Sequence, residues 1–369
     1  MDFRLSDGQQ LLVHTARDFL QRRCLPAVVA DGAASARGFS AELWKEVSVL
    51  GWTGLLVPAE YGGSGGTMVD LSLLMEEMGR ACFPSPYVQS SVVATALLAA
   101  DADPARRGRL LPAMARGDRL GALALTEESA SFESEAIRLD GEPGTRLSGR
   151  KLFVNDAHVA DDLIVVTRGA AGVNLLLLDA VRSGIAVLPM EAMAGDRPCE
   201  VSFAGVEVRA GDLLGKAGRG WDLLAPALRA GALARTAEMV GCAQRILELC
   251  VEHAKTRRQF GRPLGAFQAV QHACADLLRD VETARCLLHW AAWKMDQGTA
   301  CAADVAMAKS YAGRTSQAVA RRAHQLLGAI SFCEEHPLHL FHKRIVAAGL
   351  DFGDQSHHLE TIASAMGLL

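Results

Sequence analysis

The stretch R-T-A-E-M-V-G-C-A-Q-R-I-L-E-L-C-V-E-H-A-K-T-R-R-Q-F-G-R-P-L-G-A-F-Q-A-V-Q, residues 235–271, predicts two helices joined by a turn. Its apolar residues recur at steps of three and four as far as Val251, with charged residues on the opposite side. Gly261 and Pro263 interrupt this pattern, and an apolar run from Phe267 begins a second helix. The turn carries two cations and an aromatic ring in the run R-R-Q-F-G, residues 257–261. A solvated helix end explains such an Arg-Arg pair as well as a binding site does.

Length, composition and charge favour a multidomain globular protein. The chain has 369 residues, which is too long for one ordinary core and predicts two or three domains. Apolar residues make up 50% of it and the formal net charge is −4, so no basic surface for nucleic acid is expected. No apolar run reaches the roughly 18 residues that cross a bilayer. Because the N-terminus resembles neither a signal peptide nor a transit peptide, we expect a cytoplasmic protein.

The nine cysteines are expected to be reduced thiols. None belongs to a C-x-x-C motif, and several stand at apolar positions of the predicted helices. Core thiols therefore explain these cysteines better than disulfides or a zinc site do.

Hydrophobic periodicity divides the chain into three parts. Residues 1–118 are predicted to be helical and begin with a capping-box pattern at Ser6 and Gln9. Residues 119–212 contain about seven short apolar runs separated by Gly, Asp and Pro, which is typical of an antiparallel β domain. Residues 213–369 return to helical periodicity.

One helix of the last part carries a regular apolar seam. Its members alternate steps of four and three: Leu277, Val281, Ala284, Leu288, Ala291 and Met295. This spacing predicts an antiparallel helical bundle, and we expect the seam to lie partly against another subunit.

Several motifs resemble those of one known family. The string R-x-Q-F-G-x-P-(x)3-F-Q at residues 257–268 closes one long helix and opens the next. Nearer the N-terminus, G-W-x-G-L-x-V-P-x-E-Y-G-G begins at residue 51, M-E-E-M-G-R at residue 75 and F-P-S-P at residue 83. Together these motifs resemble the acyl-CoA dehydrogenase family, in a type that lacks the usual catalytic glutamate.

The resemblance covers essentially the whole chain and implies an α+β multidomain fold. We expect an N-terminal α-helical domain at residues 1–118, a middle antiparallel β-barrel-like domain at residues 119–212, and a C-terminal four-helix bundle at residues 213–369.

The resemblance also implies FAD-dependent α,β-dehydrogenation of an acyl-CoA thioester. In that family a carboxylate takes the α proton, the flavin N5 takes the β hydride, and hydrogen bonds to the thioester carbonyl make the α carbon acidic. We expect a branched, cyclic or otherwise bulky acyl group and an electron-transferring flavoprotein as electron acceptor. The expected assembly is a homodimer or homotetramer, or a heterotetramer with a paralogous subunit.

By resemblance, three residues of the β part contact the flavin. Thr126 opens the loop T-E-E-S-A-S-F-E, in which Phe132 replaces the serine that family members direct at the flavin phosphates. In the run F-V-N-D, Phe153 provides an aromatic ring for the isoalloxazine, and Asn155 replaces a hydroxyl with an amide that can still donate to N5. An ordinary β-core role is the alternative for Phe153.

The helical part is expected to bind the rest of the dinucleotide. By resemblance, Arg257, Phe260 and Gln268 reach the FAD of a neighbouring subunit, and the run Q-L-L-G from Gln325 to Gly328 donates to the diphosphate. A guanidinium suits a diphosphate and an aromatic ring suits adenine. Surface amides are the alternative for Gln268 and Gln325.

The catalytic base is where the chain departs from the family pattern. By alignment Phe352 stands at the position of the usual glutamate, and Gly231 stands at the second position that some relatives use. Nearby carboxylates that can substitute are those of Asp351, Asp354 and Glu238. Asp351 is our first choice and Glu238 the second, because Asp354 is also the natural N-cap of the last helix.

Five histidines also invite a metal hypothesis. Steps of three separate His336, His339 and His342, and His357 and His358 follow. Pro337 interrupts the helix and no carboxylate or cysteine completes a set, so zinc is not expected. The pair at 357–358 is more simply assigned to a nucleotide-flanking or interface position.

Two further functions stay open. The chain can be a non-catalytic partner subunit that completes the FAD site of a paralogous catalytic chain, or a flavin enzyme of the same fold that does other chemistry, such as monooxygenation. The acyl group, and the choice between CoA and acyl carrier protein, are also left open.

Overall fold

The computed structural model describes residues 4–368. The N-terminal part is helical, as expected, and its α-helices are α1 (Asp7–Arg23), α2 (Pro26–Ala34), α3 (Ala41–Val49), α4 (Met68–Arg80), α5 (Thr95–Ala99) and α6 (Pro104–Ala115). The predicted capping box is present: Ser6 Oγ accepts from Gln9 N at 3.2 Å, and Gln9 Oε1 accepts from Ser6 N at 3.1 Å. These two bonds satisfy donors that have no partner inside the helix, so α1 begins where the sequence predicted.

A buried π-helical segment, Val88–Ala94, was not expected from the sequence. It continues directly into α5, and all seven of its residues are buried. Its run V-Q-S-S-V-V-A has no clear helical period, so pattern alone gave no signal. Polar groups of this segment have partners in the fold; for example, Ser90 Oγ accepts from Gly121 N at 3.2 Å.

The β part contains two open sheets. Its strands are β1 (Gly121–Ala124), β2 (Arg146–Asn155), β3 (Asp162–Gly169), β4 (Gly172–Asp179), β5 (Ile185–Pro189), β6 (Pro198–Glu207) and β7 (Leu213–Leu214). One sheet has the order β1-β3-β4-β7 and the other has the order β2-β6-β5. Buried residues of both sheets form one core, which includes Leu147, Val165, Leu176, Val201 and Phe203.

Two details of the predicted β domain are wrong. Neither sheet closes into a barrel, and β1 runs parallel to β3 instead of antiparallel. The physical reason is the path of the chain, which leaves the first sheet after β1, forms β2 in the second sheet, and then returns as β3. The apolar runs at residues 201–203 and 206–208, which the sequence indicates as separate strands, are joined in β6, because Gly205, with φ 65°, bends the strand without ending it.

The C-terminal part is helical, as expected, and contains a small hairpin. Its elements are α7 (Gly220–Thr256), β8 (Arg258–Gln259), β9 (Arg262–Pro263), α8 (Gln268–Asp296), α9 (Ala302–Leu327), α10 (Leu338–Leu350) and α11 (Gln355–Ala365). The helix α9 contacts α8, α10 and α11. Residues 351–354 interrupt the helical path between Leu350 and Gln355. The last part of the predicted four-helix bundle therefore consists of two helices, α10 and α11.

The apolar seam of α8 is buried within the chain itself. Leu277, Val281, Ala284, Leu288 and Ala291 are each at most 1% exposed. The neighbours of α8 within the chain include α9 and α4. The expectation that the seam lies partly against another subunit is therefore wrong for these five residues, because no surface of theirs is left to bury. Met295, the last member of the seam, is half-buried, and its subunit contact stays a prediction.

The backbone divides into two compact units. The helical unit comprises the chain up to Val29, Met68–Phe83 and the chain from Ala232 onward; the mixed unit comprises Ala30–Thr67 and Pro84–Gly231. The order of a helical, a β and a second helical part is confirmed. The two domain boundaries, at residues 118 and 212, stay predictions.

Among residues 4–368, no helix is both long enough and apolar enough to cross a bilayer. All nine cysteines lie in this part of the chain and none is joined in a disulfide; six of them are buried.

Candidate active site

The turn after α7 is a two-residue β-hairpin. Strands β8 and β9 pair, and Phe260 and Gly261 at the tip have φ of 52° and 80°. Positive φ at both central residues is the geometry that suits such a hairpin. The Phe260 side chain is 90% exposed, and its ring meets that of Phe267 edge to face with the centroids 6.1 Å apart. The hairpin therefore presents an aromatic ring outward from the helical unit.

Arg257 and Gln268 flank this hairpin. The backbone N–H of Arg257 donates to His253 O at 2.8 Å and its carbonyl accepts from Leu264 N at 2.8 Å, while its side chain is exposed. Gln268 is the first residue of α8 and is also exposed. The structure thus brings Arg257, Phe260 and Gln268 onto one exposed segment, and their contact with FAD stays a prediction.

The end of α9 has an open backbone. Gly328 follows the helix with φ 70° and ψ −150°, a conformation that is essentially restricted to glycine. A Cβ added at Gly328 would meet nothing within 4 Å, so the backbone is accessible from outside. Gln325, in the last turn of α9, is exposed as well. Both predicted diphosphate contacts therefore lie on an accessible surface of the helical unit.

In the mixed unit, a bulge turns Phe153 outward. The register between β2 and β6 shifts between Lys151 and Val154, and Phe153 has φ 56°. A positive φ is unusual for a bulky residue and re-aims its side chain. Phe153 is 48% exposed, which argues against the ordinary β-core role and leaves its ring face available. Asn155 ends the same strand and is partly buried.

The loop after Thr126 is held by a carboxylate. Glu127 accepts from the backbone N–H groups of Arg138 and Leu139 at 3.0 to 3.1 Å and from Lys151 Nζ at 2.6 Å. Burial lowers the pKa of Lys151 to about 8, although Glu127 opposes that shift. Thr126 Oγ1 donates to Leu152 O, so its hydroxyl is used inside the β part. The phosphate role of this loop stays a prediction.

Both candidate bases contact one buried arginine in the helical unit. Arg235 donates through Nη1 to Glu238 Oε2 at 2.7 Å and through Nε to Asp351 Oδ2 at 2.9 Å. The Arg235 side chain is 9% exposed, the Glu238 side chain 5% and the Asp351 side chain 14%. A buried guanidinium stabilises the ionised form of a carboxylate beside it. Arg235 therefore holds the two carboxyl groups in fixed places.

Glu238 has a second cation and a tightly packed backbone. Arg344 Nε lies 3.7 Å from Glu238 Oε1, and both side chains are buried. A Cβ at Gly79 would come within 2.1 Å of Glu238 O, so α4 and α7 approach as closely as glycine permits. Glu238 is consequently enclosed between helices and two guanidinium groups, whereas Asp351 lies in the connection that follows α10.

Several contacts hold residues 351–354, the connection between α10 and α11, in place. Phe352 is 4% exposed with φ 57°, and Gly353 has φ 98°. His358 Nε2 lies 3.1 Å from Phe352 O, and burial lowers the pKa of this imidazole to about 3. Asp354 Oδ1 accepts from His357 N at 2.9 Å, which confirms Asp354 as the N-cap of α11.

Lys309 of α9 contacts the same connection. Its Nζ donates to Gly349 O and to Gly353 O, both at 3.0 Å. Burial lowers the pKa of Lys309 to about 7. The sequence did not predict a role for Lys309, Arg235 or Arg344. The i,i+3 spacing of Arg235 and Glu238 and a lone lysine in an apolar helix were the available signals.

The histidines are used in local contacts. His342 Nδ1 lies 3.0 Å from His324 Nε2, and His339 Nδ1 donates to His336 O at 2.9 Å. Burial lowers the pKa of His342 below its ordinary value. In the described part of the chain, no three His, Cys, Asp or Glu side chains converge in a way that could hold a metal ion.

The exposed elements of each unit fit FAD chemically. Phe153 and Phe260 offer accessible aromatic faces for flat rings. Gly328 leaves backbone donors open to a diphosphate, and the Arg257 guanidinium is the cation expected to pair with one.

Comparison with known proteins identifies related chains. A model of the acyl-CoA dehydrogenase N-terminal domain matches residues 6–118, and one of the acyl-CoA dehydrogenase C-terminal domain matches residues 218–367. The short-chain specific acyl-CoA dehydrogenase of Megasphaera elsdenii is 30% identical over 358 residues, which cover 92% of this chain and 92% of that protein.

Solved structures are similar to this chain over its whole length. PigA in its FAD complex matches with a TM-score of 0.89 and 25% identity, covering 100% of both chains. The ChsE4–ChsE5 complex of Mycobacterium tuberculosis contains a chain that matches with a TM-score of 0.91 and 25% identity, again covering 100% of both.

Proposed function

The chain belongs to the acyl-CoA dehydrogenase family, and from this premise we propose that it binds FAD noncovalently and dehydrogenates an acyl thioester between its α and β carbons. It is an oxidoreductase that acts on a CH–CH donor. The observation that supports this function best is the pair of carboxyl groups that Arg235 holds in the helical unit, one of which, Asp351, adjoins the position of the family glutamate. When bound, FAD supplies the N5 atom that accepts the β hydride.

We assign the role of α-proton acceptor to Asp351. Its carboxylate is the more accessible of the two held by Arg235, with 14% of its side chain exposed against 5% for Glu238. Arg235 orients this carboxylate through a hydrogen bond from Nε. Glu238, enclosed by Arg235 and Arg344, is the second choice as base and the main counter-ion of the cluster. Proton acceptance by a placed carboxylate contributes roughly 100- to 10,000-fold to a rate.

We assign the binding of FAD to the other candidate residues. Arg257 pairs with the diphosphate of FAD, Phe260 and Gln268 approach its adenosine end, and Gln325 and Gly328 donate to the diphosphate. In the mixed unit, Thr126, Phe153 and Asn155 approach the flavin ring. This assignment rests on the family resemblance together with the exposure of Phe153, Phe260 and Gly328.

The finer points of the function are proposals of the same kind. The acyl group is branched, cyclic or otherwise bulky, the electron acceptor is an electron-transferring flavoprotein, and the protein acts in the cytoplasm. Turnover of a panel of linear, branched and cyclic acyl-CoA thioesters, with a dye and with that flavoprotein as acceptors, tests the first two points.

A second candidate function is that of a non-catalytic partner subunit. Phe352 fills the family position of the glutamate with a buried aromatic ring. A related chain occurs in the two-protein ChsE4–ChsE5 complex. Purified chain that is inert toward every thioester alone, and active after a paralogous chain is added, would favour this function over the first.

FAD binding gives one testable expectation. Gly328→Ala should weaken FAD binding at least tenfold, because alanine is strained at φ 70° and ψ −150° and the backbone must shift. Gly313→Ala, within the same helix, is the control and should leave FAD binding unchanged, since Gly313 is in ordinary helix with open space at its Cβ. Flavin absorbance during titration with FAD measures both. Wild-type protein that stays colourless with FAD, alone and with a paralogous partner, would contradict the proposal.

Assembly gives another expectation. If the Arg257–Gln268 hairpin serves the FAD of a neighbouring subunit, the smallest flavin-loaded species in sedimentation should be a dimer. Phe260→Ala should lower FAD retention at least tenfold without changing the stability of the fold, because its side chain is 90% exposed in this chain. Val181→Ala, at an equally exposed position of the mixed unit, should do neither. A stable flavin-loaded monomer would rule the arrangement out.

A further inference from the structure

Lys309 bridges the two sides of the connection that carries Asp351. Its Nζ donates to Gly349 O in the last turn of α10 and to Gly353 O immediately before α11, both at 3.0 Å. The Lys309 side chain is fully buried. Because the two acceptors are four residues apart and Asp351 lies midway between them, a single lysine amino group fixes the backbone on both sides of that aspartate.

This connection needs such support. Phe352 and Gly353 both have positive φ, and a left-handed conformation costs a bulky residue roughly 1 to 3 kcal/mol. Strain of this kind persists only where the surroundings hold it in place. Arg235 holds the side chain of Asp351 and His358 contacts the carbonyl of Phe352. Lys309 is placed to hold the backbone itself.

Burial of a lysine here opposes folding. Desolvation lowers the pKa of Lys309 to about 7. Arg235 adds to this lowering, whereas Asp351 and Asp354 oppose it, and the His358 imidazole is also nearby. A methionine of similar length would fill the same space without that penalty. Core packing therefore does not account for a lysine at this position, whereas its two hydrogen bonds to the connection do.

We propose that Lys309 is a positioning residue for Asp351, which acts by holding the backbone of residues 349–353 so that the aspartate carboxylate stays where Arg235 places it. The consequence for turnover rests on the proposed function of Asp351 as base. The consequence for the backbone does not, and it is measurable in the absence of any substrate.

The matched variants are Lys309→Met and Lys309→Gln. Methionine keeps the length and removes both donors, while glutamine keeps two N–H donors on an uncharged group. Lys294→Met is the control, since it removes a lysine of the same unit that lies over the Trp290 ring at 5.8 Å, away from this connection. All are made in the full chain loaded with FAD.

Amide hydrogen exchange of residues 350–354 is the first measurement. Asp351 N donates to Ala347 O at 3.2 Å, so a loosened connection exposes this amide. Lys309→Met should raise exchange there at least tenfold and leave α8 unchanged. Lys309→Gln should recover at least half of the lost protection on a logarithmic scale, and Lys294→Met should match the wild type.

The dependence of stability on pH is the second measurement. The unfolded chain binds one more proton than the folded chain between the folded pKa of about 7 and the ordinary value of 10.5. The free energy of unfolding of the wild type, relative to that of Lys309→Met, should therefore rise with pH over this window and stay constant below pH 7. The rise corresponds to a decrease of up to tenfold per pH unit in the equilibrium constant for unfolding. Lys294→Met should show the wild-type slope.

Turnover is the third measurement. Lys309→Met should lower kcat at least tenfold with KM and flavin content unchanged, and Lys309→Gln should restore most of it. Unchanged exchange at residues 350–354 in Lys309→Met, or equal kcat in Lys309→Met and wild type, would overturn the positioning role. Wild-type protein without activity would contradict the proposed function, and the exchange measurement would still decide whether Lys309 holds the connection.

Discussion

Replacing Asp351 by asparagine is expected to lower turnover at least ~100-fold while the flavin content stays at the wild-type level. Asparagine has the same shape and can accept the bond from Arg235 Nε, but it cannot take a proton from the substrate. The fold should survive, because Arg235 keeps Glu238 as its ionic partner at 2.7 Å. Steady-state turnover of an acyl-CoA thioester, normalised to bound FAD, measures the effect.

Asp354→Asn is the matched control for this change. The residue lies three positions further along, and asparagine caps a helix about as well as aspartate does. Its carboxylate accepts from His357 N, so its role is to begin α11. Turnover should therefore stay within about twofold of wild type. Full activity in both Asp351→Asn and Glu238→Gln would place the base elsewhere, and wild-type protein that needs a second chain for activity would favour the partner-subunit function.

Replacing Glu238 by glutamine is expected to have the largest effect on stability, a loss of about 3 to 5 kcal/mol in the free energy of unfolding. The change removes a buried carboxyl group that lies 2.7 Å from Arg235 Nη1 and 3.7 Å from Arg344 Nε. Arg344 then loses its carboxylate partner, and Arg235 keeps only Asp351. Urea unfolding followed by circular dichroism measures the loss.

Two further variants test the cause of this loss. Adding Arg344→Met to Glu238→Gln should recover most of the stability, because the surplus buried cation is removed together with its partner. Glu207→Gln removes a carboxylate from the exposed pair with Arg209, 3.4 Å apart, and should cost less than about 1 kcal/mol. A Glu238→Gln variant as stable as wild type would show that the cluster does not stabilise the fold.

Stability and catalysis are separable in these variants. Glu238→Gln that folds, binds FAD and retains turnover per flavin would assign Glu238 to the counter-ion role. Loss of turnover in the folded fraction would assign it to the chemistry, in place of or beside Asp351. The 5% exposure of the Glu238 side chain favours the first result.

The hairpin shows how far local pattern reaches. The glycine and proline of the 257–263 turn correctly predicted the break between α7 and α8, because glycine permits positive φ and proline ends a helix. The same pattern did not predict that Phe260 itself takes positive φ or that its ring is 90% exposed. Those features depend on the pairing of β8 with β9 and on the absence of covering side chains.

The sheets show what a local sequence pattern does not predict. Short apolar runs gave nearly every strand, but not the parallel pairing of β1 with β3 or the separation into two open sheets. Strand pairing depends on which segments meet after the chain has crossed from one sheet to the other. Likewise, the seam of α8 was correctly identified as apolar, but the expected partial subunit contact is wrong for its five buried members, since a hydrophobic stripe does not say which surface covers it.

The sequence by itself determined the family, the order of the helical and β parts, and the caps at Ser6 and Asp354, because these depend on residues a few positions apart. Tertiary structure alone decided the ionic cluster of the candidate active site. Arg235 and Asp351 are 116 residues apart, and Lys309 reaches carbonyl groups 40 and 44 residues away. Such contacts depend on how α7, α9 and α10 pack, and packing is set by the whole core rather than by any local period.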